Sequence, residues 1–132
     1  MFFNKSIKTN RKVEFIDISS IVKEIIDESS ISDGVLVINI PHTTAAVTIN
    51  ENADPSVKED IMNKLNNLIP FNDNYKHLEG NSAAHIKSSL LGSDQNIIIN
   101  NSTLELGRWQ GIYFCEFDGP RKRNINFKII ES

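Results

Sequence analysis

Alternating apolar and polar positions along the chain predict a series of β-strands. The first 17 residues contain two such runs, separated by the polar segment TNRK at 9–12. A period of two is typical of strands with one buried face, so these runs predict an N-terminal β-hairpin. The same reasoning predicts further strands at VLVINI (35–40), TAAVTIN (44–50), NIIIN (96–100), WQGIYFCEF (109–117) and NINFKII (124–130). The turn DGPR at 118–121 joins the last two of these.

Apolar residues at helical spacing predict three helices between these strands. The first is predicted to be capped by Ser19 or Ser20, and the third lies within NSAAHIKSSLLG at 81–92. Asp54 followed by Pro55 is a strong signal for the start of the second helix, because Asp is a good N-cap and Pro suits the first helical position. The chain is therefore predicted to be a single α+β domain over residues 1–132, with a mainly antiparallel sheet and about three helices.

Composition and charge narrow the possible partners. A length of 132 residues fits one domain, and a net charge of −3 disfavours broad attraction to nucleic acid or anionic membranes. No apolar run approaches the roughly 18 residues that a membrane-spanning helix requires. Cys115 is the single cysteine and no export signal opens the chain, so we expect a cytoplasmic protein.

The three histidines of the chain, His42, His77 and His85, fall at element ends or on predicted loops. Such positions often carry ligands and catalytic groups. Three imidazoles can hold a zinc ion with a fourth position left open, as in many catalytic zinc sites. Surface or capping roles for three unrelated histidines are the alternative, and the spacing alone does not choose between them.

Two carboxylates lie in the turn between a predicted strand and the second helix. Asp54 is explained by its N-cap role, whereas Glu51 has no such structural reason. Carboxylates in such a turn can also coordinate Mg²⁺ beside a phosphorylated substrate. Glu51 is therefore a candidate catalytic group.

Basic and aromatic residues near the C-terminus suggest a site for a phosphorylated heterocycle. Arg121 and Arg123 lie two residues apart beside Lys122, and guanidinium groups suit phosphate, although a solvated basic turn is an alternative. Trp109 and Gln110 can stack on and hydrogen-bond a heterocycle, or Trp109 can belong to the core.

Three long segments together resemble the YjbQ family, also described as secondary thiamine-phosphate synthases. These segments are PHTTAAVTINENADP (41–55), GNSAAHIKSSLLG (80–92) and LGRWQGIYFCEFDGPRKR (106–123), and the similarity covers nearly the whole chain. The family's polar pattern maps onto the following residues: His42, Thr43, Thr44, Asn50, Glu51, Asp54, His77, Asn81, His85, Lys87, Trp109, Gln110, Glu116, Arg121 and Arg123.

The resemblance implies a homotrimer in which a neighbouring subunit completes each polar cleft. It also implies a weak activity that joins a hydroxymethylpyrimidine pyrophosphate to a thiazole phosphate with loss of pyrophosphate. We accordingly predict catalytic roles for Glu51, His42 and Arg121, and a divalent metal ion, Zn or Mg, held by His42, His77 and His85. The predicted substrate-binding residues are Thr43, Asn50, Asn81, Lys87, Trp109, Gln110, Arg121 and Arg123.

Two other functions fit the same residues. One is a trimeric protein that binds a metal or small ligand without turnover, favoured by the lack of an obvious nucleophile and base pair. The other is a metal-dependent hydrolase that uses histidines as zinc ligands and Glu51 as base.

Overall fold

The computed structural model describes residues 1–132 and contains eight strands and three helices, which confirms the predicted α+β class. The strands and helices, in chain order, are β1 (Phe2–Lys8), β2 (Glu14–Asp17), α1 (Ser19–Ser29), β3 (Gly34–Asn39), β4 (Ala45–Glu51), α2 (Pro55–Leu68), α3 (Ser82–Leu91), β5 (Asp94–Asn100), β6 (Thr103–Leu104), β7 (Gln110–Glu116) and β8 (Lys122–Glu131).

The strands form two sheets. The large sheet has five strands in the order β1-β8-β3-β5-β6, and the small sheet has three in the order β2-β7-β4. Every neighbouring pair in both sheets is antiparallel, which confirms the expected strand direction.

The predicted N-terminal hairpin is wrong, because β1 and β2 lie in different sheets. The same is true of β7 and β8, which the DGPR turn joins. Both connections cross from one sheet to the other and bind each other: Thr9 N–H donates to the Arg121 carbonyl at 2.9 Å, and Gly119 N–H donates to the Lys12 carbonyl at 3.0 Å. Alternating apolar and polar residues indicate a strand but do not identify the strand with which it pairs.

The core has two parts, one on each face of the small sheet. The larger part contains apolar residues of α1, of the small sheet and of the inner face of the large sheet, including Val22, Leu36, Phe114 and Phe127. The second part packs the opposite face of the small sheet against α2 and α3. The molecule thus has three layers in this order: the large sheet, the small sheet, and helices α2 and α3. The outer face of the large sheet is uncovered.

Local signals fix α2 and α3 over the small sheet. The Asp54 carboxylate accepts a hydrogen bond from Ser56 N–H at 2.9 Å, and Pro55 occupies the first turn of α2 as predicted. Gly92 ends α3 with a φ of 98°, a positive value that glycine adopts readily. The predicted cap of α1 by Ser19 or Ser20 is wrong, because the helix begins at Ser19 with Ile18 at the N-cap position and no side-chain cap.

None of the three helices combines the length and the hydropathy needed to cross a membrane.

Candidate functional site

A polar cavity of about 450 Å³ lies between the start of β4 and helix α3. His42 and Thr43 line it from the segment before β4, and His85 and Ser88 line it from α3. Its volume falls within the range of small-molecule sites. We call it the His42–His85 cavity.

His42 is held by the backbone of β8. Its Nε2 atom accepts a hydrogen bond from Asn124 N–H at 2.9 Å. Burial lowers the pKa of His42, and the neighbouring Arg123 guanidinium lowers it further, so the ring is neutral at neutral pH. A neutral imidazole that accepts at Nε2 carries its proton on Nδ1, and His42 is therefore a hydrogen-bond donor through Nδ1.

Ser88, which lines the same cavity, has an unsatisfied polar group. Its side chain is 7% exposed, and its hydroxyl oxygen is buried without a hydrogen-bond partner. Leaving such a group unpaired costs roughly 1–3 kcal/mol, which a bound ligand can recover. The sequence does not reveal this feature, because a serine within a helix carries no signal of its own.

His85 also contacts His77, which lies on the loop between α2 and α3. The two rings meet edge to face with centroids 5.5 Å apart. Both line a second cavity of about 480 Å³, together with Lys76. His85 therefore stands between two adjoining cavities, one with His42 and one with His77.

The three histidines do not fit one shared metal site within a chain. No set of three His, Cys, Asp or Glu side chains lies close enough to hold a metal ion. The bond from Asn124 occupies Nε2 of His42 and leaves the proton on Nδ1, so neither nitrogen of that ring has a lone pair available for a metal.

The two arginines predicted to bind phosphate have different surroundings. Arg123 is 2% exposed, and its guanidinium binds the buried Glu116 carboxylate and, at 2.8 Å, the Thr44 hydroxyl. Glu116 also accepts from the Thr9 hydroxyl at 2.8 Å. Arg121 is half exposed and pairs with Asp118 at 3.1 Å. Of the two, only Arg121 presents its guanidinium to a ligand at the surface.

Lys87 is completely buried and has no carboxylate partner. Its ammonium donates to the Asn66 side chain at 2.6 Å and lies 4.6 Å from the centre of the Phe71 ring. Lys12 lies over the same ring at 4.0 Å. Burial lowers the pKa of Lys87, and the Lys12 charge adds to the effect. This contact anchors the start of the loop that carries His77.

Asn81 precedes α3 and joins it to the Arg121 turn. Its side-chain amide donates to the Asp118 carboxylate at 3.0 Å, and Asp118 in turn binds Arg121. The side-chain Oδ1 atom of Asn81 is buried without a hydrogen-bond partner.

The remaining predicted residues lie at the opposite end of β4. Glu51 pairs in register with Gln110, and Asn50 pairs with Gly111. Trp109 lies beside them and is 54% exposed. Six steps along β4 at about 3.4 Å each separate this end from the His42 end by roughly 20 Å. The predicted catalytic residues His42 and Glu51 are therefore not brought together within a single chain.

Two packed antiparallel sheets with a helical layer, and a polar cavity at one end, define a small α+β protein. The chain belongs to the UPF0047 protein YjbQ-like family, whose model matches residues 4–132. This confirms the resemblance noted from the three motifs.

Close relatives span almost the entire chain. It is 58% identical to the UPF0047 protein MJ1081 of Methanocaldococcus jannaschii, covering 98% of this chain and 94% of the relative. It is 49% identical to YugU of Bacillus subtilis, covering 94% and 95%. A crystal structure of a YjbQ/UPF0047 family protein from Clostridium acetobutylicum has 57% identity and a TM-score of 0.95, covering 97% of this chain and 99% of that one.

Proposed function

We propose that this chain is a transferase of the secondary thiamine-phosphate synthase type, which joins a hydroxymethylpyrimidine pyrophosphate to a thiazole phosphate. The observation that carries the proposal is the His42–His85 cavity, which has the volume of a small-ligand site and a buried hydroxyl without a partner. The family's sequence motifs supply the choice of reaction.

The proposed reaction requires no general base. The thiazole nitrogen attacks the methylene carbon of the pyrimidine, and the carbon–oxygen bond to pyrophosphate breaks with its electron pair leaving on the pyrophosphate. The thiazole nitrogen carries no hydrogen, so no proton is removed. A site with hydrogen-bond donors and cations, and without an activated nucleophile, suits this chemistry.

Each predicted catalytic residue then has a defined role. Arg121 does not line the His42–His85 cavity, but its charge acts on His42 and its guanidinium is assigned to the leaving pyrophosphate. His42 donates a hydrogen bond from Nδ1. Glu51 stabilises the positive charge that develops on the methylene carbon. A divalent metal belongs to the proposal as a partner of the pyrophosphate oxygens, since Mg²⁺ is usually held by substrate phosphates and one or two carboxylates.

The proposed site is shared between subunits of a homotrimer. Within one chain, Glu51 and Trp109 lie about 20 Å from His42, which is too far for both ends to contact one small substrate. We therefore place the Glu51 end of one subunit against the His42 end of its neighbour.

The activity is tested by incubating the purified protein with both substrates and Mg²⁺ and measuring thiamine phosphate. Arg121→Ala and His42→Ala should each reduce product formation at least tenfold, an order-of-magnitude expectation for loss of a charged or donor group at the reacting centre. Arg11→Ala, which removes another exposed arginine, is the matched control. Product no higher in the parent than in Arg121→Ala would end this proposal.

Subunit sharing has a separate test by mixing variants. His42→Ala and Glu51→Gln proteins are unfolded together in equal amounts and refolded. If sites are shared around a ring, about a quarter of them receive both intact residues and activity returns. If each site lies within one chain, no mixed site is intact and the mixture stays inactive.

Binding without turnover is the second candidate function. The unpartnered Ser88 hydroxyl favours it equally, because a bound ligand satisfies that group whether or not a reaction follows. Tight binding of both substrates without product would support this function over catalysis.

A further inference from the structure

A third cavity, with three cationic residues in its lining, lies at the shared end of β1 and β8. It has a volume of about 580 Å³. Its lining consists of the cationic residues Lys8, Arg121 and Lys122 together with Ser6, Ile7, Thr9 and Pro120. No carboxylate lines it, although the Asp118 carboxylate pairs with Arg121 at 3.1 Å from outside the lining and the chain as a whole is acidic. We call it the Lys8–Lys122 groove.

The two lysines face each other across the strand pair. Lys8 is directly opposite Lys122 in the β1–β8 register, and both are exposed. Neither lysine has an ion-pair partner, since the three ion pairs of the chain involve other residues. Like charges directly opposite in a sheet destabilise it. The surrounding register includes the apolar pair Phe3 and Phe127, so the strands cannot shift to relieve the repulsion.

The groove adjoins the His42–His85 cavity across a single strand. Asn124, whose backbone N–H binds His42, lies two residues beyond Lys122 on β8. Arg121 lines the groove and its charge acts on His42. An anion in the groove would therefore lie near His42.

We propose that the Lys8–Lys122 groove is a pyrophosphate site, in which the two lysines and Arg121 bind the phosphate oxygens of one diphosphate group. The anion site itself follows from the three cations and their register. That its ligand is the diphosphate of a substrate or product rests on the proposed function. A diphosphate carries enough charge and length to bridge the opposed lysines and convert their repulsion into attraction.

The test is a calorimetric titration of the intact protein with inorganic pyrophosphate, for the parent and for Lys8→Gln and Lys122→Gln. Each substitution removes a charge-assisted hydrogen bond and should raise Kd about tenfold. Lys64→Gln removes one positive charge from an exposed position of α2 and is the matched control, with an unchanged Kd. Inorganic phosphate, which carries less charge and fewer acceptor oxygens, should bind more weakly than pyrophosphate.

The melting temperature gives a second test, because the substitution should raise Tm in the absence of ligand although it weakens pyrophosphate binding. Lys8→Gln should raise Tm, because it removes the repulsion with Lys122, while the same variant loses the rise in Tm that pyrophosphate gives the parent. This pattern separates loss of binding from loss of folding.

Equal pyrophosphate affinity in the parent and both groove variants would overturn the proposal, as would an equal loss in Lys64→Gln. Titration with pyrophosphate needs no turnover, so its outcome is distinct from that of the synthase assay. Pyrophosphate binding that depends on Lys8 and Lys122 in a protein without synthase activity would contradict the proposed function alone. Synthesis with unaltered kinetics in both variants would contradict the groove assignment alone.

Discussion

Arg121 and Arg123 show how far a residue's role follows from its spacing. Residues two apart share a face of a strand, which is why both were predicted to reach one phosphate. The structure begins β8 at Lys122, so Arg121 remains in the turn while Arg123 enters the strand and points inward to Glu116. Sequence spacing predicts a common face only when both residues lie within the same strand. The boundary of a strand is the part that sequence predicts least well.

The Arg123–Glu116 pair should be critical for stability. Both side chains are almost completely buried, so Arg123→Met leaves the Glu116 carboxylate without its main partner. Removing one member of a buried pair costs about 3–5 kcal/mol, which denaturant unfolding measures. The double variant Arg123→Met with Glu116→Leu should cost less than either single variant, because no charge is left unpaired. A loss below about 1 kcal/mol in Arg123→Met would show that the pair does not stabilise the fold.

Lys87 should give a stability difference that depends on pH. Its pKa is lowered in the folded state, so over the range between that pKa and the ordinary value of 10.5 the unfolded chain binds more protons. The stability contributed by Lys87 therefore increases as pH rises through this range. The free energy of unfolding of the parent minus that of Lys87→Met should be larger at pH 10 than at pH 7.5.

Lys64→Met is the control for this measurement, because Lys64 is exposed on α2. Its difference from the parent should be the same at both pH values. A Lys87 difference that is equally flat, or that falls with pH, would contradict the assignment of Lys87 as a buried cation.

Substitution of His42 and substitution of His85 should have different effects on the zinc content of the protein. His77 and His85 are in ring contact, whereas both nitrogens of His42 are engaged by Asn124 and by its own proton. After dialysis against a weak chelator with added zinc, His42→Ala should retain as much zinc per subunit as the parent. If His42→Ala and His85→Ala lose the same amount, the three histidines form one site after all, built between subunits.

At the scale of elements, the strands and helices were readable from the sequence, but the pairing of the strands was not. The spacing of apolar residues identified β3, β4 and β7, and Asp54 followed by Pro55 located the start of α2. The crossings at 9–13 and 117–121 escaped prediction, because the turns resemble hairpin turns. What sends the chain to the other sheet is a set of distant contacts, among them the bond from Thr9 to Arg121.

Gly34 at the start of β3 is the backbone position most sensitive to substitution in the large sheet. A Cβ atom there would overlap the Ile130 carbonyl oxygen of β8, which belongs to rigid backbone. Gly34→Ala should therefore lower the free energy of unfolding by more than about 1 kcal/mol. At Gly107 an added Cβ meets only the flexible Gln110 side chain, so Gly107→Ala should change stability by less than about 0.5 kcal/mol. Equal effects of the two substitutions would mean that β8 yields at this position.

At the scale of the whole molecule, the uncovered face of the large sheet requires an explanation. Three exposed apolar side chains form a row across its central strands, because Val35 pairs in register with both Ile98 and Ile130. Ile98 is 62% and Ile130 56% exposed. Contiguous apolar surface of this kind marks protein–protein contacts, and the homotrimer proposed for this chain supplies the partner.

We expect the parent to have a mass of about three times 14.9 kDa in light scattering at micromolar concentration. Ile98→Lys combined with Ile130→Lys places two charges in the row, which the interface would have to desolvate without partners, and should shift the mass to that of a single subunit. Leu68→Lys, at the equally exposed end of α2, should leave the mass unchanged.

A parent of 14.9 kDa would defeat both the trimer and the shared site. A trimer that survives both lysines in the row would show that another surface joins the subunits, and Ile86 and Leu90 on α3, beside the His42–His85 cavity, are the exposed apolar residues to substitute next.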